Sequence, residues 1–469
     1  MVYFSINNSH IAGMRVCGSA MEVLHVLTNH YRVEMFMASG SRWGIVLLFM
    51  AAYVLSFIDR QILALLIGPI RADLGITDTQ FGLLSGLAFS IFYAVLGLPI
   101  AGLSDRYARP VIIAAGILVW SIATLGCAFV HSFAMLFVFR IMVGAGEATL
   151  APAVYSYIAD IIPRPKLGWA MSVFSLGSFI GSGLAFMLGG SILSLTVGQP
   201  DLNVFGAVIH PWQLCFAIVG LPGIVLSAII FLWVREPVQA GGRALTRKGA
   251  SMSVAMQYLW QNRALFVPHI LGYTFIAMTL FSLLGWMPAV LMRVHGMSPR
   301  IVGFAFGGIA MVCGVSGVLT SGRLVDTLTQ RGHKGAPMIT GAIGALGVVL
   351  PMAIIGFAQA TPVILICLAV AFYFASFPMP PSTFVQQVAV PQEMRARLSA
   401  VLLFFNAMGG LAGGAFLIGF LNDHVFHSPM AVGTSLCLVA IGSSSLGALL
   451  LLASRKPFER LMAQSRHRT

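Results

Sequence analysis

The sequence predicts an all-α integral membrane protein, with twelve transmembrane helices in two pseudo-symmetric six-helix bundles. Three observations carry that expectation: a composition too apolar for water, a series of apolar runs long enough to cross a bilayer, and motifs that recur in the two halves. Of the 469 residues, 58% are hydrophobic and only 9% are charged, against about 25% charged in an ordinary soluble domain. A formal charge of +13 would suggest nucleic acid in a soluble protein. In a membrane chain the placement of basic residues matters more than their sum, and no nucleic-acid partner is expected.

Apolar runs between charged or Pro/Gly-rich breaks give spans at 43–70, 79–102, 110–130, 133–160, 167–192 and 211–234. Six more follow at 264–292, 299–322, 337–357, 361–389, 397–421 and 430–453. A bilayer core takes about 20 residues of helix, and a backbone in lipid must satisfy its own hydrogen bonds. The domain plan is therefore an N-terminal arm (1–42), a first bundle (43–234), a polar linker (235–263), a second bundle (264–453) and a basic tail (454–469). The arm lacks a compact apolar core followed by a small-residue cleavage site, so it does not read as a signal peptide. Met14, Met21 and Met35 are alternative starts.

Orientation follows from Lys/Arg placement. With the N-terminus inside, only Arg71, Arg293 and Arg300 of the 27 Lys and Arg residues fall on external connections, and Arg60 and Arg140 lie within spans. The opposite topology would invert that bias, so both termini are expected in the cytosol. The linker carries Arg243, Arg247 and Lys248 and then a short amphipathic stretch, Ser253 to Trp260, suited to the surface of an anionic leaflet. Membrane lipids are thus expected partners.

Six cysteines are scattered, without a C-x-x-C and without histidines at metal spacing, so neither a disulfide framework nor a metal site is expected. No phosphate-binding G-x-x-x-x-G-K-[ST] and no nucleophile–base constellation is present. The chain is expected to be neither an ATPase nor any other enzyme, and to need no cofactor.

An internal repeat is visible. Leu103-Ser104-Asp105-Arg106 follows the second span and Gly322-Arg323-Leu324-Val325-Asp326 follows the eighth. The fourth span carries Pro152 and closes at Pro163, and the tenth carries Pro380 and closes at Pro391. Parallel six-helix halves of this kind occur in secondary transporters, with the substrate site near the midplane between them.

At this point the residues resemble a known family. Gly102-Leu103-Ser104-Asp105-Arg106-Tyr107-Ala108-Arg109 is similar to the G-x-L-x-D-R-x-G-R-R/K signature between helices 2 and 3 of the major facilitator superfamily, departing at Ala101, Ala108 and Pro110. Arg140-x-x-x-Gly144-x-Gly146 resembles the superfamily's helix 4 signature. Phe57-Ile58-Asp59-Arg60, Gly144-Ala145-Gly146-Glu147-Ala148 and Gly181-Ser182-Gly183-Leu184 look like the Spinster branch, a group of lipid transporters. The resemblance implies the superfamily fold and an amphiphilic substrate of the lysophospholipid or sphingoid phosphate type. Drug/proton antiporters of the superfamily usually carry Gly-Pro in helix 5, where this chain has Gly181-Ser182.

Only four charged residues lie well inside the spans: Asp59, Arg60, Arg140 and Glu147. Intramembrane charges are costly and by default point to function. At about 1.5 Å per residue, the first three fall at similar depth and Glu147 nearer the centre. Arg140 and Glu147, two turns apart, face nearly the same way. A carboxylate in an apolar cavity is driven toward its neutral form, and a nearby arginine opposes that, so the carboxylate can be poised between two states. Asp59 and Glu147 are therefore candidate proton carriers, and Arg60 and Arg140 candidate holders of anionic groups. The plainer reading is a static network fixing the first span against the fourth.

On the cytosolic side, Asp105 is expected to cap a facing helix near Arg397. Arg106 and Arg109 would add pairs that hold that side closed, with Asp326 as the pseudo-symmetric counterpart. Gly177, Gly181, Gly183, Gly189 and Gly190 would allow close helix packing. Tyr273, Tyr373, Gln386, Gln387 and Asn406 would line a cavity or bond a neighbouring helix. The expected function is proton-coupled secondary active transport by alternating access, moving an amphiphilic, lipid-like substrate with an anionic or zwitterionic head. A proton-coupled exporter of drugs or small metabolites, against which the missing Gly-Pro pair weighs, and a gradient-independent lipid scramblase or receptor are the alternatives. A monomer in a bacterial inner membrane is expected.

Overall fold

A computed structural model describes residues 39–103, 107–196, 201–204, 207–237 and 252–466 of the chain. Among the described residues, twelve helices are long and apolar enough to cross a membrane. They are α1 (Arg42–Leu65), α2 (Asp78–Leu96), α3 (Arg109–Phe129), α4 (Phe133–Ile161), α5 (Pro165–Leu195) and α6 (Pro211–Trp233). The second half supplies α7 (Arg263–Val294), α8 (Pro299–Gln330), α9 (Ala336–Phe357), α10 (Thr361–Ala389), α11 (Arg397–Val425) and α12 (Pro429–Gln464).

Helix starts are set by local chemistry. Thr77 opens α2 with a reciprocal cap: its hydroxyl accepts from the Gln80 N–H, and the Gln80 side chain accepts from the Thr77 N–H. Ser132 caps α4, and Ser298 caps α8 ahead of Pro299. Gly75, at φ +61°, closes the short helix Ile67–Leu74 in the left-handed conformation that glycine tolerates best.

Both prolines of the sequence repeat leave the same mark. α4 is interrupted between Glu147 and Leu150, and α10 between Ala375 and Met379. Proline has no N–H for the carbonyl four residues back, so the ladder breaks one turn before Pro152 and before Pro380. The first break falls directly after Glu147.

In the first half, α1 packs on α5, α3 on α6, and α2 on α4. In the second, α7 and α9 pack on α12, and α8 on α10. The halves meet along α5–α8 and α2–α11. Glycine makes both seams: Gly183 lies against Gly307 and Gly190 against Pro299, while Gly82 and Gly86 lie against Ala415 and Ala412. A Cβ at Gly86 would stand 2.8 Å from the Ala412 Cα, so no side chain fits there without separating the helices. The small residues of α5 thus serve two neighbours, since Gly177 and Gly181 face α1.

Among the described residues, polar contacts between the halves gather at the face carrying the turns 75–77 and 295–298, here termed the low-charge face. Asp78 is fully buried there and accepts from Arg293 of α7 at 2.9 and 3.1 Å and from Asn422 of α11 at 2.9 Å. Arg71, of the first half, lies 3.1 Å from the same carboxylate. Asp423 accepts from the Thr79 N–H and hydroxyl, each at 2.6 Å. The opposite, basic face gathers Arg109, Arg235, Arg263, Lys334 and Arg395.

Several boundaries differ from the sequence reading. The first apolar run is two helices rather than one, because the chain tightens at Leu63–Leu65 and turns at Leu66 before Ile67–Leu74. Apolarity continues through the turn, since Ile62 to Ile67 are all buried, and hydropathy does not report direction. α8 runs past 322, so Gly322–Asp326 is helical rather than a loop. The supposed tail is largely helix: α12 is one rod with the segment to Arg466, held by the Arg455–Glu459 pair at 2.9 Å and by Phe458, buried with Leu265 and Met338. The linker helix is found at Met252–Gln261, docked by the Tyr258 hydroxyl on the Ala389 carbonyl at 2.7 Å; Arg243, Arg247 and Lys248 lie outside the described residues. Between α5 and α6 a hairpin of β1 (Leu202–Val204) and β2 (Ala207–Ile209), paired antiparallel, was not anticipated.

Candidate functional site

The site is built where α1, α2, α3 and α4 meet. On α1, Ser56, Asp59 and Arg60 fall at helical spacing that places Ser56 and Arg60 one turn apart on one face. On α4, Arg140 and Glu147 stand two turns apart. Close approach of α2 to α4 depends on Gly144, where a Cβ would collide with the Phe89 carbonyl. That approach carries Phe89 and Tyr93 to Arg60.

Two crosswise ion pairs form. Arg60 Nη2 lies 2.5 Å from Glu147 Oε2, and the Ser56 hydroxyl donates to the same oxygen at 2.6 Å. Arg140 Nη1 lies 3.4 Å from Asp59 Oδ1 and donates to the Asp59 backbone carbonyl at 3.3 Å. The Thr124 hydroxyl of α3 donates to Asp59 Oδ2. Each pair joins α1 to α4, and the set is neutral.

The two arginines sit in different surroundings. Arg140 is fully buried, whereas Arg60 keeps 8% of its side chain exposed, which leaves it the less enclosed of the two. Three rings surround Arg60: Phe57 at 4.6 Å, Phe89 at 4.3 Å and Tyr93 at 5.1 Å from the guanidinium carbon. Such contacts contribute about 0.5 to 2 kcal/mol each, most when dry. Tyr53 extends the aromatic wall, stacked on Phe174 at 4.6 Å. Among the described residues, Glu147 Oε1, Arg60 Nε, and Arg140 Nε and Nη2 are buried without a hydrogen-bond partner. Buried polar atoms are rarely left so.

The four intramembrane charges expected from the sequence are thus brought together. The cytosolic motif is placed only in part, since Asp105 and Arg106 lie outside the described residues. Arg109 differs from expectation. Its partners are Asp160 at 2.6 Å, the Glu236 carboxylate and the Ser156 hydroxyl at 3.1 Å, all within the first half. It ties the start of α3 to the ends of α4 and α6 instead of spanning the halves. Asp326 is exposed near the end of α8 and meets no ion-pair partner among the described residues. Of the polar candidates in the second half, Gln386 accepts from Ser399 at 2.5 Å, while the Tyr273 hydroxyl and Asn406 Oδ1 have no partner among the described residues.

Sequence reasoning gave no role to Ser56, Thr124, Phe57, Phe89 and Tyr93 around the network, or to Asp78 at the seam. Ser56 was legible one turn before Arg60. The aromatic residues carry no such mark among the 33 Phe and 10 Tyr of the chain.

Twelve spans in two halves, with paired charges sealed inside one of them, define a membrane transporter. The chain belongs to the Major Facilitator Superfamily, whose family model matches residues 49–414. It is 29% identical over 415 residues to an MFS-type efflux pump of Mycolicibacterium smegmatis, covering 87% of this chain and 91% of that protein. It is 25% identical to the sphingosine-1-phosphate transporter SPNS2 of Xenopus tropicalis over 80% of this chain and 72% of that one. Its fold is similar to the crystal structure of a bacterial homolog of the human lysosomal transporter Spinster in an inward-facing, unoccupied conformation. That likeness has a TM-score of 0.74 at 24% identity and covers 90% of this chain and 97% of the other.

Proposed function

We propose that this chain is a proton-coupled, alternating-access transporter of a single-chain amphiphile with an anionic or zwitterionic head, of the lysophospholipid or sphingoid phosphate type. The observation that carries the reading is the Arg60–Glu147 pair, 2.5 Å long and set among three rings. Ionised, Glu147 occupies the arginine of the network that keeps an exposed edge. Protonated, it releases that arginine, which remains charged and can meet a phosphate or carboxylate. Proton binding and substrate binding thereby become linked through one guanidinium.

Asp59 is the second carboxylate of the network, held by Arg140 and Thr124. Full burial of Arg140 suits a part in joining α1 to α4 more than direct contact with substrate. Gating is assigned to the sequence motif Asp105, Arg106 and Arg109, with Asp326 as its counterpart, and Arg109 contributes by bracing the start of α3 against α4 and α6. The Lys/Arg bias supports a cytosolic basic face and both termini inside. The bacterial relatives support a bacterial inner membrane, and a monomer is the simplest unit for two halves in one chain. The contacts of Asp78 and Asp423 then close the outer side, the arrangement of an inward-facing transporter.

Uptake of a fluorescent lysophospholipid into proteoliposomes, driven by a pH gradient, tests the reading. Wild-type uptake is expected to follow the gradient and Glu147→Gln uptake to be independent of it. Unchanged pH dependence in Glu147→Gln would sink the coupling role. A second reading, export of drugs or small metabolites, is favoured by the likeness to the efflux pump. Thermal stabilisation by drugs but not by lysolipids or sphingoid phosphates would decide for it.

A further inference from the structure

We infer that Ser56 is a positioning residue that directs the proton to Oε1 of Glu147 and keeps that side chain in place while Arg60 is released. The inference rests on the coupling role of Glu147 and names an atom and a second residue within it.

The geometry is asymmetric. Oε2 of Glu147 takes two donors, Arg60 Nη2 at 2.5 Å and the Ser56 hydroxyl at 2.6 Å. Oε1 is buried and takes none among the described residues. A proton reaching Oε2 would have to displace one of those donors, whereas Oε1 is free. Protonation at Oε1 leaves Oε2 as the carbonyl oxygen of a neutral acid. The charge-assisted bond to Arg60 is then weakened, because its strength depends on an ionised acceptor. The serine bond survives, since a hydroxyl donates to a carbonyl as it does to a carboxylate.

Ser56 has the rigidity this task needs. It is 1% exposed and one helical turn from Arg60 on α1, so it holds Glu147 on the side from which the arginine leaves. The other titratable or charged groups around Glu147 are Tyr53, Asp59 and Arg60 of α1, Tyr93 of α2 beside Arg60, and Arg140 on α4 itself. α3 meets this turn of α4 through Gly116 and Trp120, packed against Gly146, and brings no charge there. None of these groups shares Oε2 with the arginine as Ser56 does.

The infrared carbonyl band of the protonated Glu147 carboxyl in bilayer-reconstituted protein tests the assignment without any substrate. The band is identified as the one absent from Glu147→Gln on acidification. With the proton on Oε1, the carbonyl is Oε2 and carries the serine bond. Ser56→Ala should therefore move the band to higher wavenumber, and Ser56→Thr should restore it. With the proton on Oε2, the carbonyl would be the bare Oε1, and Ser56→Ala would leave the band in place. An unmoved band in folded Ser56→Ala, judged by a wild-type melting temperature, overturns the inference and leaves the coupling role of Glu147 standing. Absence of any Glu147-dependent band overturns both. Should Ser56→Ala fail to fold, Ser56→Cys supplies the same comparison with a weaker donor and a smaller shift in the same direction.

Discussion

Asp78 and Arg293 join the two halves of the molecule, with Arg293 Nη1 at 2.9 and 3.1 Å from the two oxygens of a fully buried carboxylate. Removing one partner of a buried pair costs about 3 to 5 kcal/mol, because the other charge is left uncompensated. In Asp78→Asn, both Arg71 and Arg293 lose their anion. The low-charge face should then open more often. Spin labels at His131→Cys and Met430→Cys, in a background without native cysteines, should show a larger population at long distance. A distance distribution identical to that of the parent would mean that the glycine seams alone keep this face shut.

The seam makes a converse prediction. Gly86 lies against Ala412 across α2 and α11, where each helix carries a π-helical segment, Leu83–Leu87 and Asn406–Ala412. Such segments are frequent at functional sites. Gly86→Val would wedge the helices apart at a backbone-to-backbone contact that has no flexible side chain to yield. Labels at the same two positions should report opening without any change in charge. A wild-type distribution would show that α2 and α11 can shift to absorb the side chain.

How much of this was legible in advance follows from what each feature depends on. Spans are properties of composition, so the twelve helices could be counted from the chain. The four buried charges were legible because Asp59, Arg60, Arg140 and Glu147 stand out against apolar neighbours. Their pairing was not, because spacing along the chain does not say which arginine meets which carboxylate, and only the rotation of α1 against α4 selects. Asp78 escaped notice because it sits at a helix start, where an acidic residue is ordinary; its burial depends on α7 and α11, more than 200 residues away. The hairpin between α5 and α6 is short, and nothing in its sequence separates it from a loop.

The two arginines should respond differently to the same conservative change. Lysine keeps the charge but loses the planar, multi-donor group. At Arg60 the guanidinium is surrounded by Phe57, Phe89 and Tyr93 and retains an exposed edge, so Arg60→Lys should weaken ligand binding about tenfold, or about 1.4 kcal/mol, with little effect on melting temperature. At Arg140 the group is fully buried and bridges α1 to α4, so Arg140→Lys should lower the melting temperature. Thermal unfolding with and without a stabilising lysolipid checks both. Equal losses of stability would argue that both pairs are purely structural.

His210 ties the unanticipated hairpin to the segment between α1 and α2. Its Nδ1 lies 2.9 Å from Asp201 and its Nε2 3.2 Å from Asp73. Each ring nitrogen thus faces a carboxylate, one on the hairpin side and one on the segment after α1. Asp73 also accepts from the Trp212 indole at 3.1 Å, which fixes it independently of the histidine. His210→Ala removes both ring contacts and leaves Asp73 held by Trp212, so amide hydrogen exchange across 201–210 should be faster in His210→Ala than in the parent. Unchanged exchange would show that the β1–β2 pairing alone holds the hairpin.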